Sequence, residues 1–493
     1  MSVLKLKHHI GGAWVDSLSG KTFPVYSPVN GSVIAEVTEG DREDARRAIA
    51  AARRAQDRIA RRPPFEQAAL CHRVADILES RKPELAHTLT LEQGKPYHTE
   101  ALAEIDETIA QFRLSAEDIK RLETSVLPSA DPNKRILSIR QPRGVYAVIT
   151  PWNWPFTITA EYLAPGLAAG NAIVWVPAPT TSVCAVKLME CLLEAGVPEG
   201  VVNLVTGPGP VVGNEIVANP GTDAVGFTGS PATGIEVARA GAGKSLLLEL
   251  GGNGPMIVRE DANLEAAVEA AALGCFLCAG QSCSAAERLL VHERVYDDFV
   301  ERMVAAARAV RLGDPFDPDT TMGPLNNEAT AQKMDRHLQD AVGRGARVRW
   351  GGGRAEGFPT RLYYQPTVLD GVTHEMVVSQ EESFGPIAPI SRFASDDEAI
   401  EQANSTSYGL LAAVFTRDLS SAFHFAERLK AGIVNINEST NYWELHVPFG
   451  GSGKRSGIGR LGGKHTILEM TDLKTIVIDL AKSGSGGSRE SNS

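Results

Sequence analysis

Three side chains are of types that can do covalent chemistry together. Cys283 lies in AGQSCSA, just after an Ala-rich helical run. A thiolate is a strong nucleophile when the cysteine is partly exposed and its pKa is lowered. The competing reading is a small buried hydrophobe. Glu249 lies in LLLELGGNGP, where a carboxylate closes an apolar strand before Gly251-Gly252. Desolvation there would raise its pKa and make it a general base, whereas a nearby Lys or Arg would turn it into one half of a salt bridge. Asn153, in ITPWNWPF, offers an amide that can donate to a developing oxyanion, or simply a turn residue between two prolines. FTGSPATG (227–234) is a strand end opening onto a helix, and a helix N-terminus can hold phosphate through its free N–H groups. Its Gly229-x4-Gly234 spacing is not the G-x-G-x-x-G fingerprint. No metal site is read. Cys275 and Cys278 form a C-x-x-C inside what reads as a helical run with no second pair, and His8 and His9 are adjacent without ligand spacing.

These residues need rigid supports. VYAVI (145–149), AIVWV (172–176), VVNLV (201–205), AVGFT (224–228) and SLLLEL (245–250) are short apolar runs rich in β-branched residues. Helical patterns such as 182–196 lie between them, and helical periodicity also marks 41–60 and 64–82. Strands alternating with helices predict βαβ units and a parallel, doubly wound sheet. A second α/β series starts at GPMIV (254–258), continues with an Ala-rich helix from about 262, and runs to about 450, so the boundary between the two sheets falls near Gly251-Gly252. Ligands of such folds sit beyond the carboxyl ends of the strands, which is where Asn153, the 228–230 loop and Glu249 fall.

Composition narrows the class. With 493 residues the chain exceeds one core, and with 43% hydrophobic and 22% charged residues it reads as an ordinary globular protein. A net charge of −11 argues against a nucleic-acid or anionic-membrane partner. Six cysteines in a chain this long are no disulfide framework, the N-terminus MSVLKLKHHIGGAW lacks the apolar core of a signal peptide, and no apolar run approaches a membrane span. A cytoplasmic, reduced setting is expected, one in which a catalytic thiol survives. The Gly/Ser-rich end, Ser483–Ser493, reads as a disordered tail.

Seven segments in order resemble the aldehyde dehydrogenase superfamily: PWNWP (151–155), FTGS (227–230), LELGG (248–252), GQSC (280–283), EESFGP (381–386), PFGG (448–451) and SGIGR (456–460). The resemblance runs from about residue 8 to about 478. It implies an α/β fold of two doubly wound sheet domains plus a small β oligomerisation arm. The cofactor-binding domain would be 1–124 and 144–251, the catalytic domain 252–453, the arm 125–143 and 467–481, and the tail 482–493. It implies that Cys283 attacks the aldehyde, that Asn153 and the Cys283 N–H form an oxyanion hole, and that Glu249 activates the water that releases the acid. NAD is the implied cofactor, with NADP possible. Its contacts would come from Trp152, Gly209, Gly213, Phe227, Gly229, Ser230 and Gly251, with Glu382 and Phe384 at the nicotinamide riboside. A homodimer or homotetramer is implied.

One departure stands out. Where the family usually has Lys-Pro-Ser-Glu after the second strand, this chain has Val176-Pro177-Ala178-Pro179, so the usual adenine-ribose contacts are missing and cofactor preference is open. The positions matching the substrate tunnel are Glu104, Glu107, Trp154, Ile158, Glu161, Leu277, Asn441 and Trp443. Acids and tryptophans there point to a cationic aldehyde held by carboxylates and aromatic faces. The competing reading takes the glutamates as solvated helix charges, or as neutralised by Arg113; the chain would then be a broad-range enzyme for aliphatic or aromatic aldehydes. A CoA-acylating relative would not use Glu249, and a non-catalytic scaffold would not need Cys283, Glu249 and Asn153.

Overall fold

Strands that are apolar at every residue must be buried on both faces, and helices have to supply the cover. The computed structural model describes residues 3–452 and 455–482, and it builds two large sheets of this kind. In the first, Ser245–Leu250, Ala224–Gly229, Val145–Thr150, Ala172–Pro177 and Val202–Leu204 lie side by side and parallel. The chain enters at the middle strand, winds to one side, then crosses back and winds to the other. The crevice of such a sheet opens where the direction reverses, between Val145–Thr150 and Ala224–Gly229. Alternate residues serve opposite cores. Tyr146, Val148, Ile173 and Trp175 face one, and Val145, Ala147, Val174 and Val176 the other. The hairpin of His8–Ile10 and Ala13–Val15 extends one edge. At the other edge the late segment Gly457–Ile458 pairs antiparallel with Leu248 and Glu249.

The second sheet runs Arg347–Trp350, Thr367–Asp370, Ile387–Phe393, Arg288–His292, Pro255–Val258, Leu411–Phe415, Ile433–Ile436, parallel except for its first strand. It too has a core on each face. A three-stranded antiparallel sheet joins Thr471–Asp479, Lys134–Pro142 and Val126–Leu127, and it leaves Val126, Leu473 and Val477 exposed. A further small sheet of Leu4–Leu6, Val33–Thr38 and Thr22–Tyr26 carried no strand expectation in the sequence.

All five apolar runs read as strands of the first sheet are strands there, and the helical patterns become Arg42–Ala60, Pro64–Ser80 and Ser182–Glu194. One helical reading needs correction. The Ala-rich helix is Leu264–Phe276, so Cys278 lies beyond it, in a turn where Cys278 and Ala279 both take φ 53°. The tail expected at 482–493 lies, from 483 onward, outside the described residues.

Candidate active site

The motifs meet because glycines let backbones touch. A Cβ at Gly252 would run into the Cys283 carbonyl oxygen, and one at Gly280 into the Gly385 carbonyl oxygen. LELGG, GQSC and EESFGP are thereby pressed together at the carboxyl ends of the two sheets.

Asn153 follows the strand Val145–Thr150, is buried, and donates from Nδ2 to the Gln281 carbonyl at 3.0 Å. That bond leaves one amide hydrogen beside the loop of Cys283. Cys283 is half-buried, while the other five cysteines are buried. Burial pushes its thiol well up, and the neighbouring Glu249 pushes it further. Glu249, the penultimate residue of Ser245–Leu250, is held between Thr228 and Gly457 in the sheet register. It is 3% exposed, and its Oε1 has no hydrogen-bond partner among the described residues. Burial raises this carboxyl to about 8, with the Cys283 thiol pulling it down and Glu382 pushing it up. The arrangement is a thiol and a high-pKa carboxyl in contact, with an amide donor on the adjoining loop. Of the two sequence readings of Glu249, the desolvated base fits and the salt bridge does not: no Lys or Arg meets it among the described residues.

Trp152, Gly209, Gly213, Phe227, Gly229 and Ser230 line one cleft of about 660 Å³ at the crevice of the first sheet. Ser230 lines the cleft and caps the helix Pro231–Ala240 by accepting from the Thr233 N–H; Gly234 N–H goes to the Ser230 carbonyl and Pro231 has none, which leaves the Ala232 N–H as the unbonded amide of the first turn among the described residues. Val176, Pro177 and Pro179 form its far wall, and Glu236 is the one charged group among the described lining residues. Gly251, Glu382 and Phe384 stand apart from that lining, nearer the second sheet. Glu382 accepts from the Gly252 N–H at 2.8 Å, and a Cβ on Gly251 would press into its carboxylate. Phe384, at φ 57°, meets the Trp152 ring edge-on at 5.5 Å, bridging the two sheets. The cleft suits a dinucleotide: apolar walls and a helix N-terminus for phosphate, with the Glu382 carboxyl outside the lining, beside Gly251 and Gly252.

The tunnel positions divide. Glu161, on the helix Thr157–Ala168, is 5% exposed with no hydrogen-bond donor among the described residues, and it lies within electrostatic reach of Glu249 and Glu107. Glu107 and Trp443 line a cavity of about 470 Å³ with Leu114, Leu445 and His446. Trp154 and Trp443 pack on the same core as Ile158, with Cys283 beside them. Leu277 is half-buried in the turn before the nucleophile.

Two of these residues do other work. Glu104 does not line a tunnel: its carboxylate is buried against Lys95 Nζ at 2.5 Å and accepts from the Phe156 N–H at 2.9 Å. Lys95 in turn sits 3.5 Å over the Trp154 ring, so one aromatic face already holds a cation. Asn441 braces the loop of Cys283: its Oδ1 accepts from the Ser282 and Ser284 hydroxyls, and its Nδ2 donates to the Leu273 and Gly274 carbonyls. Arg113 neutralises neither Glu104 nor Glu107; it pairs with Glu79 at 2.5 Å. Sequence reasoning missed Lys95 and Glu287. Glu287 was detectable as a lone acid inside the apolar run AAERLLV. Lys95, before a proline, carried no signal.

Among the described residues no group of three or more His, Cys, Asp or Glu is placed to hold a metal, and no helix is long and apolar enough to cross a membrane. Residues 14–476 match the model of the aldehyde dehydrogenase family. The chain is 40% identical over 473 residues to the NADP(+) succinate-semialdehyde dehydrogenase GabD of Escherichia coli K12, covering 96% of this chain and 97% of that protein. It is 37% identical over 473 residues to the betaine aldehyde dehydrogenase of Bacillus subtilis 168, covering 95% and 96%. A crystal structure of betaine aldehyde dehydrogenase from Staphylococcus aureus in complex with NAD+ superposes at a TM-score of 0.93 with 34% identity, covering 97% of this chain and 95% of that one. On this match over most of its length, the chain belongs to the aldehyde dehydrogenase family.

Proposed function

We propose that this dehydrogenase oxidises an aldehyde bearing an amino or trimethylammonium group, with Cys283, Glu249 and Asn153 carrying the reaction. The Cys283 sulfur adds to the carbonyl carbon once its proton has left, and the adjoining Glu249 carboxylate is placed to receive that proton. The carbonyl oxygen becomes an oxyanion, held by the remaining Asn153 amide hydrogen and the Cys283 N–H. Bound NAD(P)+ supplies the hydride acceptor for the oxidation. Its phosphates would lie at Ser230 and the first turn of Pro231–Ala240, its riboside near Glu382 and Phe384. Once Glu249 has passed the thiol proton on to solvent, the resulting Cys283 thioester is cleaved by a water whose proton goes to the freed Glu249 carboxylate, which returns it to the departing Cys283 sulfur. The acid leaves and the thiol is regenerated. The three-stranded sheet, with its exposed Val126, Leu473 and Val477, is proposed as the arm of a homodimer or homotetramer.

Glu161 carries the substrate reading. A buried carboxylate without a donor is costly unless a cation joins it. Glu161 is such a group, beside Glu249 and Glu107, and burial with those two neighbours makes it hold its proton well above the usual carboxyl range until a cation arrives; Trp443 lies on the same cavity as Glu107. A substrate ammonium group would complete it. Relatives include dehydrogenases named for both a betaine aldehyde and a succinate semialdehyde, so the family alone does not choose. The Lys95 cation already on Trp154 favours the second reading, a broad-range enzyme for aliphatic and aromatic aldehydes. The test compares aminobutyraldehyde and betaine aldehyde with neutral aldehydes of equal length and with succinic semialdehyde, in wild type and Glu161→Gln. The cationic aldehydes are expected to have the highest kcat/KM. Glu161→Gln should lower it for them by about tenfold to a hundredfold, the worth of one charge-assisted bond, while neutral aldehydes change less than about threefold. A wild-type preference for neutral or anionic aldehydes would overturn the cationic reading.

A further inference from the structure

Glu287 follows Cys283 by four residues, at the entry to the strand Arg288–His292, and it is 3% exposed. Its two carboxylate oxygens each take a backbone N–H of the cofactor-facing segment. Oε2 accepts from Ser383 at 2.7 Å and Oε1 from Phe384 at 2.9 Å. Successive amides turn to one side because Phe384 holds a left-handed φ of 57°, which a phenylalanine rarely adopts unaided. The rest of the segment is fastened around this point. Ser383 Oγ meets His337 Nδ1 at 3.0 Å, Glu382 Oε1 accepts from Gly252, and a Cβ on Gly385 would press into Met334. Lys333 lies 5.6 Å over the Phe384 ring.

We infer that Glu287 is a positioning residue. Its two carboxyl oxygens, each accepting a backbone N–H, hold Phe384 in its left-handed conformation, and so set Glu382 and the riboside end of the cleft relative to the loop of Cys283. This rests on the reading above, in which Glu382 and Phe384 meet the cofactor and Cys283 is the nucleophile. Both oxygens must be acceptors, because two N–H groups point at them. A glutamine presents an amide donor to one of these N–H groups and breaks that contact. An aspartate keeps the charge but shortens the reach.

The test uses the full-length enzyme and the variants Glu287→Gln, Glu287→Asp and Phe384→Ala. Four quantities are read: the NAD+ dissociation constant by calorimetry, the burst rate of reduced cofactor, the rate of acyl-enzyme hydrolysis, and hydrogen exchange of the 380–386 amides in cofactor-free protein. Glu287→Gln is expected to weaken NAD+ binding fivefold or more and slow the burst tenfold or more. Hydrolysis should stay within twofold, and exchange should quicken in 380–386 alone. Glu287→Asp should fall between Glu287→Gln and wild type. Burst and dissociation constant within twofold of wild type in Glu287→Gln would overturn the proposal. So would an equal loss in every step with faster exchange across both sheets, or failure of both Glu287 variants to fold, since each assigns Glu287 to general stability. If Phe384→Ala also leaves binding and burst unchanged, the cofactor-facing reading has failed; if it impairs them while Glu287→Gln does not, only the role of Glu287 has.

Discussion

At the scale of single residues, the site works by keeping carboxyls away from water. Burial raises Glu249 to about 8, so below that pH most of it is protonated and cannot accept a proton from water. Acyl-enzyme hydrolysis should therefore rise with pH, up to about tenfold per unit, and level off near or above 8. In Glu249→Gln the ascending limb should vanish, leaving a burst of reduced cofactor followed by slow turnover. Stopped-flow absorbance across pH 6–9 checks both. A collapsed burst with no accumulated acyl-enzyme would show that Glu249 is needed first to take the Cys283 proton, a role their contact also permits. Cys283 and Glu249, the proposed nucleophile and base, stood out in the sequence because each stands in a local pattern: a strand ending in Glu-Gly-Gly, and a thiol just after a helix. Glu104 misled for a physical reason. Helical spacing shows that Glu104 and Glu107 share a face, but not that Lys95 reaches across from another segment to take one of them.

At the scale of elements, the strand Ala172–Pro177 delivers the turn that ordinarily reads the adenine ribose, and here it delivers Val176, Pro177 and Pro179 to the cleft wall. With neither a carboxylate to repel a 2′-phosphate nor a cation to bind one at that wall, discrimination should be shallow. The ratio of kcat/KM for NAD+ over NADP+ is expected to favour NAD+ by less than about a hundredfold, under ~3 kcal/mol. Initial rates with both cofactors decide it. A preference above a thousandfold would mean that another group, with Glu236 the nearest candidate, has replaced the missing acid. The parallel strands were readable because their apolar runs are continuous. The end of the helix Leu264–Phe276 was not, because the reversal begins at Cys278 and Ala279, both at positive φ, two residues before the one glycine of the turn, Gly280. The pairing of Gly457–Ile458 with the base's strand was also hidden, since two residues carry no periodicity.

At the scale of the whole molecule, the buried acids make stability depend on pH. Glu249 and Glu382 are raised to about 8, Glu92 and Glu100 to about 7, and Glu161 well above 4.5, all chiefly by burial. Each binds its proton more tightly folded than unfolded, so its contribution is complete below about 4.5 and is lost as pH rises through the folded value. His8 and His337 are lowered to about 4 by burial, and their opposing effect is over above 6.5. The thermal midpoint of the cofactor-free enzyme should thus fall between pH 6.5 and 8.5, and fall less in Glu161→Gln. Scanning calorimetry at the two pH values tests this, and a flat or rising midpoint would sink it. The edge strand Gly457–Ile458 has a consequence for biosynthesis. A ribosome makes the chain from its N-terminus, so the strand that carries Glu249 waits, with one edge unpaired, until residues beyond 458 have left the exit tunnel. During that interval the nascent chain already contains Cys283 but lacks the neighbour that fixes Glu249 beside it. The proposed thiol–carboxyl pair is therefore completed only after residue 458 has emerged.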